Sequence, residues 1–278
     1  MPAEVQEGVL AEARRWFSLP ESVKQQIALS PDRHYRGWQQ LGANVTRYEG
    51  GYQRDWHEAI DLYKEVLPKD LKESGLQPSP IHGSNPWPDQ VPEFATALRL
   101  YIDGCLSVGA AILRGIALGL QLPEHFFEGP TAGRDGAYWV TRVIHYPPLA
   151  QGSQYQATGS QAAAAAAAER ADVERSTQLS CGEHTDYGLL TLVNQESHVE
   201  ALQVKNADGQ WVSAAPLPHS FVVNIGDMFK VWTNGRYTPT LHRVVNGDPR
   251  HSRVSAAFFY EPCYEAVVEP LPQFCSDR

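Results

Sequence analysis

The hydrophobic pattern changes period near the middle of the chain. Val5, Val9, Ala13, Trp16 and Phe17 recur at helical spacing, and Phe94, Leu98, Tyr101, Ile102, Cys105, Val108, Ile112 and Ile116 trace one stripe of a longer helix that opens at Pro92. Gly119 and Pro123 supply its stop. Between these helices, Ser18 to Glu21 reads S-x-x-E with Pro20 in the first turn, which predicts a second helix start. Residues 35–38 and 50–52 carry aromatics and glycines without a helical period and read as loops or short strands.

Beyond residue 138 the pattern is one of strands. Runs at 138–146, 189–193, 202–204, 221–225, 241–245 and 254–260 are short and rich in β-branched or aromatic residues. Asp208-Gly209, Asn234-Gly235 and Asn246-Gly247 mark turns between them, and Gly226-Asp227 reads as a turn feeding the strand before His242. This spacing predicts an antiparallel barrel or jelly roll. The fold class is α+β with a mainly β core, in one unit over residues 1–278. A mainly helical region, 1–125, is expected to pack outside a β core over 138–265. The low-complexity tract 151–170, with its alanine run from Ala162 to Ala168, predicts a flexible insertion, because so short an isolated helix is marginal in water.

Composition narrows the partners. At 278 residues, 42% of them hydrophobic and 20% charged, the chain can bury a sizeable core. A net charge of −9 lacks the basic footprint of a nucleic-acid binder, and no basic amphipathic run points to a membrane surface. The apolar stretch 105–122 is broken by Arg114 and several glycines, and the N-terminus shows no signal-peptide pattern. Cys105, Cys181, Cys263 and Cys275 are scattered without a CxxC, which predicts reduced thiols and a cytoplasmic location. A small-molecule partner is expected; oligomeric state is not legible.

Candidate chemistry centres on GEHTDYG and TLHRVVNG. On a strand, residues i and i+2 share a face, so His184 and Asp186 can converge on one point, with His242 returning to it after several strands. Two imidazoles and a carboxylate on one face of a metal leave the opposite positions open, as in the facial triad of non-haem Fe(II) oxygenases. Alone, H-x-D is a weak signal that more often marks solvent-facing polar residues than a metal site. Arg253 and Ser255, again at i and i+2, sit in the apolar run RVSAAFFYEP. A buried guanidinium there needs an anion: either a bound carboxylate gripped by its fork or an acidic side chain of the chain itself. The other histidines, including His57, His82 and His145, lack ligand spacing and read as structural or exposed. Trp38, Trp56 and Trp87 read as packing residues, with Trp38 and Trp56 able to border a pocket.

Taken together, H-x-D, a distant His and R-x-S ten residues later, with the words GEHTDYGLLTL, FVVNIGDMFKVWTNGRYTPTLHRVVN, RVSAAFFYEP, RVIHYPP and PDRHYRGW, resemble the 2-oxoglutarate- and Fe(II)-dependent dioxygenases of the isopenicillin N synthase-like group. The resemblance spans nearly the whole chain. It implies a double-stranded β-helix, with His184, Asp186 and His242 as iron ligands and with Arg253, Ser255 and Tyr146 around the distal carboxylate of 2-oxoglutarate. It implies that O2 and 2-oxoglutarate are consumed, giving succinate and CO2, while a small organic substrate is oxidised, most commonly hydroxylated, with ascorbate as a reductant. Ile144 stands where many relatives carry Asn and is placed with Arg142 and Phe259 in the substrate pocket. Phe259 is open to a core reading and Arg142 to that of a solvated strand-end charge. Two rivals stay open: an Fe(II) oxidase of the isopenicillin N synthase or aminocyclopropane-carboxylate oxidase type, which uses no 2-oxoglutarate, and a jelly roll that binds without turnover. Relatives usually begin with an extra strand and a GFF…NHG segment and end in a further helix, so a chain that starts within the first helix and stops at Arg278 is expected to be a shortened member.

Overall fold

The computed structural model describes residues 1–48, 51–128, 133–148 and 179–275. In chain order its elements are α1 (Ala3–Phe17), α2 (Glu21–Lys24), β1 (Gly37–Gln39), β2 (Val45–Tyr48), β3 (Gly51–Arg54), β4 (Glu58–Tyr63), α3 (Pro68–Ser74), α4 (Pro92–Gly119), β5 (Tyr138–Tyr146), β6 (Cys181–His184), β7 (Leu190–Gln195), β8 (Leu202–Lys205), β9 (Trp211–Ser213), β10 (Val222–Ile225), α5 (Asp227–Trp232), β11 (His242–Val244) and β12 (Arg253–Glu261), with short 3-10 turns between some of them. Among the described residues, one sheet runs β1-β4-β5-β12-β7-β10, a second runs β6-β11-β8-β9, and β2 pairs with β3. All pairings between these strands are antiparallel. This is the expected jelly roll.

The central strands of the larger sheet, β5, β12 and β7, are covered on both faces and carry apolar residues along most of their length. Ile60, Leu62, Val143, Leu190, Leu192, Val254, Ala256, Phe258 and Tyr260 pack outward under α1 and α4 in one core. The alternate residues Ala59, Ile144, Tyr146 and Val193 point inward and meet Leu202 and Val244 of the smaller sheet. A second core therefore fills the space between the sheets, and the site lies in it.

Two details seat the helices. Tyr101 donates its hydroxyl to the Ala256 carbonyl at 2.9 Å, tying α4 to β12. A Cβ at Gly109 would collide with the Tyr260 ring, so glycine lets helix and strand close up there. By length and composition α4 could cross a membrane, yet its apolar stripe packs against the sheet.

Several expectations are corrected. Besides its helices and the short strands near 35–38 and 50–52, region 1–125 contributes β2 and β4, which were not expected, and β1 and β4 extend the larger sheet. Ser18 does not N-cap the second helix; it is the C-cap of α1. Its hydroxyl donates to the Arg15 carbonyl, closing α1, and α2 begins after Pro20. Gly226 caps the start of α5 rather than making a turn into a strand. Asn234 and Gly235, both at positive φ, end α5, with the Gly235 amide donating to the Lys230 carbonyl. Asp208-Gly209 does join β8 to β9. The tract 151–170 lies outside the described residues.

Candidate active site

His184 ends β6 and faces His242, the first residue of β11, in direct register. The Asp186 carboxylate lies 3.8 Å from His184 Nε2 and 3.6 Å from His242 Nε2. One ligand atom from each of the three falls within 4.8 Å of the others. Asp186 reaches this point by a different route from the strand alternation expected of it. β6 stops at His184, and the following turn delivers Asp186, pinned by the Asp227 amide donating to its carbonyl.

Local hydrogen bonds orient all three groups. His184 Nδ1 donates to the Gly182 carbonyl at 2.7 Å and His242 Nδ1 to the Thr240 carbonyl at 3.0 Å, which leaves each Nε2 with its lone pair free. Asn224 Nδ2 donates to Asp186 Oδ2 at 3.2 Å, leaving Oδ1 toward the imidazoles. Burial holds the His242 imidazole below its ordinary pKa, favouring the neutral form that a metal needs. His184 has 41% of its side chain exposed against 4% for Asp186 and 7% for His242, so the triad opens to solvent on the His184 side. This donor set suits one divalent cation with open coordination positions.

Arg253 lies deeper, 1% exposed, on the inward face of β12. Its Nη2 donates to Gln195 Oε1 at 2.9 Å and Nη1 to Ser255 Oγ at 3.4 Å, while Nε has no hydrogen-bond partner. No carboxylate among the described residues lies within ion-pair distance, so none of them makes the internal salt bridge that the sequence allowed. Burial lowers the Arg253 pKa from its ordinary value, and burial pushes the neighbouring Tyr146 phenol up to about 12. A buried guanidinium with neutral hydrogen-bond partners among the described residues and an orphaned N–H has the donor capacity to bind a carboxylate. A keto-diacid's distal carboxylate fits it.

Arg142 is not a solvated strand-end charge. It sits mid-strand in β5 opposite Asp61 of β4, its Nε and Nη2 donating to the two Asp61 oxygens at 2.7 and 2.6 Å. Gln39 donates to the same carboxylate. Burial alone would lower the Arg142 pKa, but Asp61 outweighs it and holds the guanidinium above its ordinary value. Ile144 is buried between the sheets, and Phe259 shares the inward face of β12 with Arg253 and Ser255. Trp38 does not border the site. It packs in the outer core and donates to Glu58 Oε2 at 2.8 Å.

Several functional neighbours escaped the sequence reading. Asn224 and Gln195 sit in strands without a ligand spacing of their own; Asn224 on β10 meets Asp186 of the turn after β6, and Gln195 stands opposite Ser255 beside Arg253. Glu261, the last residue of β12, shares the inward face; burial and the nearby Asp186 charge push its carboxyl up to about 7. Asp55, His57 and Cys181 also bring ligand atoms within 4.8 Å. That group is already satisfied. His57 Nδ1 donates to the Ser180 carbonyl, its Nε2 accepts from Asn44, and Asp55 accepts from Thr46 and the Gly182 amide. Burial pushes the Cys181 thiol up to about 12, so it stays protonated.

Comparison with known proteins agrees with this geometry. Residues 140–262 match the family model of the 2OG-Fe(II) oxygenase superfamily, and residues 1–90 match that of the non-haem dioxygenase in morphine synthesis N-terminal region. Homoarginine-6-hydroxylase 2-ODD-233 of Oryza sativa subsp. japonica is 43% identical over 265 residues, covering 95% of this chain and 72% of that protein. Homoarginine-6-hydroxylase 2-ODD-C23.1 of Arabidopsis thaliana is 43% identical over 258 residues, covering 93% and 69%. Among solved structures, JOX2 in complex with 2OG, Fe and JA superposes with a TM-score of 0.73 at 27% identity, over 100% of this chain and 69% of that one. With the His-Asp-His cluster in place, these matches show that the chain belongs to the 2OG-Fe(II) oxygenase family, and it is an oxidoreductase that uses Fe(II), 2-oxoglutarate and O2.

Proposed function

We propose that His184, Asp186 and His242 hold the Fe(II), that Arg253, Ser255 and Tyr146 receive the distal carboxylate of 2-oxoglutarate, and that the substrate is a free cationic amino acid of the homoarginine type. The observation that carries the cosubstrate assignment is Arg253 itself, 1% exposed, with an unpartnered Nε and, among the described residues, no carboxylate in ion-pair reach. The names of the two plant relatives support the substrate assignment.

Fe(II) held by the triad would, with 2-oxoglutarate and O2, supply the oxidation, one oxygen atom going into succinate as the keto acid loses CO2 and the other turning a substrate C–H bond into C–OH. The protein's own part is positional. Carbonyls of Gly182 and Thr240 fix the imidazole tautomers, Asn224 turns the Asp186 carboxylate, and the Arg253 fork with Gln195 behind it sets the cosubstrate's reach. Ile144, Val193, Leu202 and Val244 wall the inter-sheet space with apolar surface that excludes water from the cosubstrate end. Arg142, locked to Asp61, lies on the same inward face with its side chain partly exposed, where it can meet a substrate carboxylate.

The test is anaerobic titration of the Fe(II)-loaded protein with 2-oxoglutarate, reading the visible metal-to-keto-acid absorption band, followed by aerobic succinate formation with and without homoarginine. A saturable band with homoarginine-dependent succinate is expected. Absence of the band would refute the cosubstrate assignment; a band without homoarginine-dependent turnover would refute the substrate. We also place the protein in a reducing, cytosolic compartment, supported by free Cys105, Cys181, Cys263 and Cys275 and tested by cell fractionation.

A further inference from the structure

Along the inward face of β12 the side chains run Arg253, Ser255, Ala257, Phe259, Glu261. Arg253 is reserved for the cosubstrate, and the Arg142–Asp61 pair on the neighbouring strands neutralises itself. Asp186 is to be neutralised by the metal. Glu261 is the charge left over. No hydrogen bond or ion pair to its carboxylate exists among the described residues. Its two oxygens lie against Gly188, two residues past Asp186, at a spot that any Cβ on Gly188 would take from them. A carboxylate partly removed from water without a partner is costly, and it becomes favourable where a ligand cation completes it.

We propose that Glu261 is the specificity-determining residue of the substrate site, holding the guanidinium or ammonium group of a cationic substrate beside the metal triad. This rests on the reading of the site as that of a cationic amino-acid hydroxylase and adds how the cation is recognised. The placement also bears on which carbon reacts. A guanidinium gripped at Glu261, over the turn that carries Asp186, sets the carbon bonded to its nitrogen nearest the metal and leaves the amino-acid end to extend away. Phe259, two positions deeper on the same face, lies where a ring can flank a planar cation.

The experiment titrates the anaerobic Fe(II)–2-oxoglutarate protein with homoarginine and with homocitrulline, its neutral urea isostere, following perturbation of the absorption band and calorimetric heat. Agmatine and lysine serve as further cationic probes. Wild-type protein should prefer homoarginine over homocitrulline by roughly 10- to 100-fold, the range for hydrogen bonds to a charged group. Glu261→Gln should lose that preference with its band intact, and Glu261→Asp should keep the preference at weaker affinity. If Glu261→Gln binds homoarginine as wild type does, the role of Glu261 is refuted while the homoarginine reading stands. If wild type takes agmatine or lysine but not homoarginine, and Glu261→Gln loses that binding, the homoarginine reading falls and Glu261 stands. Should wild type show no preference for any cation over homocitrulline, both are overturned, whether or not the variants fold.

Discussion

Arg253 stands directly across from Tyr146 in the antiparallel pairing of β12 with β5, its guanidinium 5.1 Å from the centre of the phenol ring. The ring covers one face of the fork and Gln195 holds one terminal nitrogen, so the fork is fixed before any ligand arrives. Removing it leaves a cosubstrate carboxylate in a dry pocket without its main partner, at a cost of about 3–5 kcal/mol. Arg253→Ala should therefore weaken 2-oxoglutarate binding by roughly two to four decades while iron content stays at wild-type level. Arg253→Lys should recover only part, because a point charge cannot reproduce the fork. Tyr146→Phe should cost about 1–2 kcal/mol. Anaerobic band titration with metal analysis checks all three, and loss of iron in Arg253→Ala would refute the separation of the two subsites.

The metal prediction concerns Asn224 as well as the triad. His242→Ala should abolish iron binding with the fold retained, read by metal analysis and circular dichroism. Asn224→Ala leaves the three donors in place but frees Asp186 to rotate. It should weaken iron affinity about 10- to 100-fold, the usual effect of removing a partner that orients a ligand. Unchanged affinity in Asn224→Ala would show that the Asp227 amide alone positions Asp186.

Gly226 couples the α5 start to the same turn. A Cβ there would collide with the Gly188 backbone, which no side-chain rotation can relieve. Gly226→Ala should shift the turn that carries Asp186, lowering stability by about 1–3 kcal/mol and weakening iron binding together. The checks are thermal melts of the apo and iron-loaded forms; a stability loss equal in both would show that the strain never reaches the triad.

Stability in acid should depend on Glu58. Its oxygens accept from Lys24 Nζ at 2.7 Å and Trp38 Nε1 at 2.8 Å, and lie 2.9 Å from His145 Nδ1. Burial pushes this carboxyl up, but the bonds to His145 and Lys24 outweigh burial and hold it below its ordinary value. A depressed folded pKa means that the group's stabilisation is complete above the unfolded carboxyl pKa of about 4.3 and is lost as pH falls through the lower folded value. Glu58→Gln should destabilise the protein at pH 7 by about 3–5 kcal/mol, since it leaves Lys24 buried without its counter-charge. It should also flatten the fall in stability below about pH 4.3. Urea denaturation at several pH values measures both effects.

The sequence by itself determined the classes of element and the identities of the strongest site residues. Helical stripes around Trp16 and Leu98, and strand runs such as 138–146 and 254–260, are local periodicities, and the period follows from backbone geometry alone. His184, Asp186, His242, Arg253 and Ser255 were legible because their chemistry is rare in apolar runs and their spacing matches a metal site beside an anion site. Strand β4 was not legible: EAIDLY carries buried Glu58 and Asp61, whose partners Lys24 and Arg142 lie far away in the chain. What only the tertiary structure decided were the relations between distant strands. Register placed Arg142 opposite Asp61 and Gln195 beside Arg253, the turn after β6 brought Asp186 to Asn224, and no described residue pairs with Glu261. Those outcomes depend on which strands become neighbours, and a pairing of antiparallel strands is set by the packing of two cores at once, which no single segment encodes.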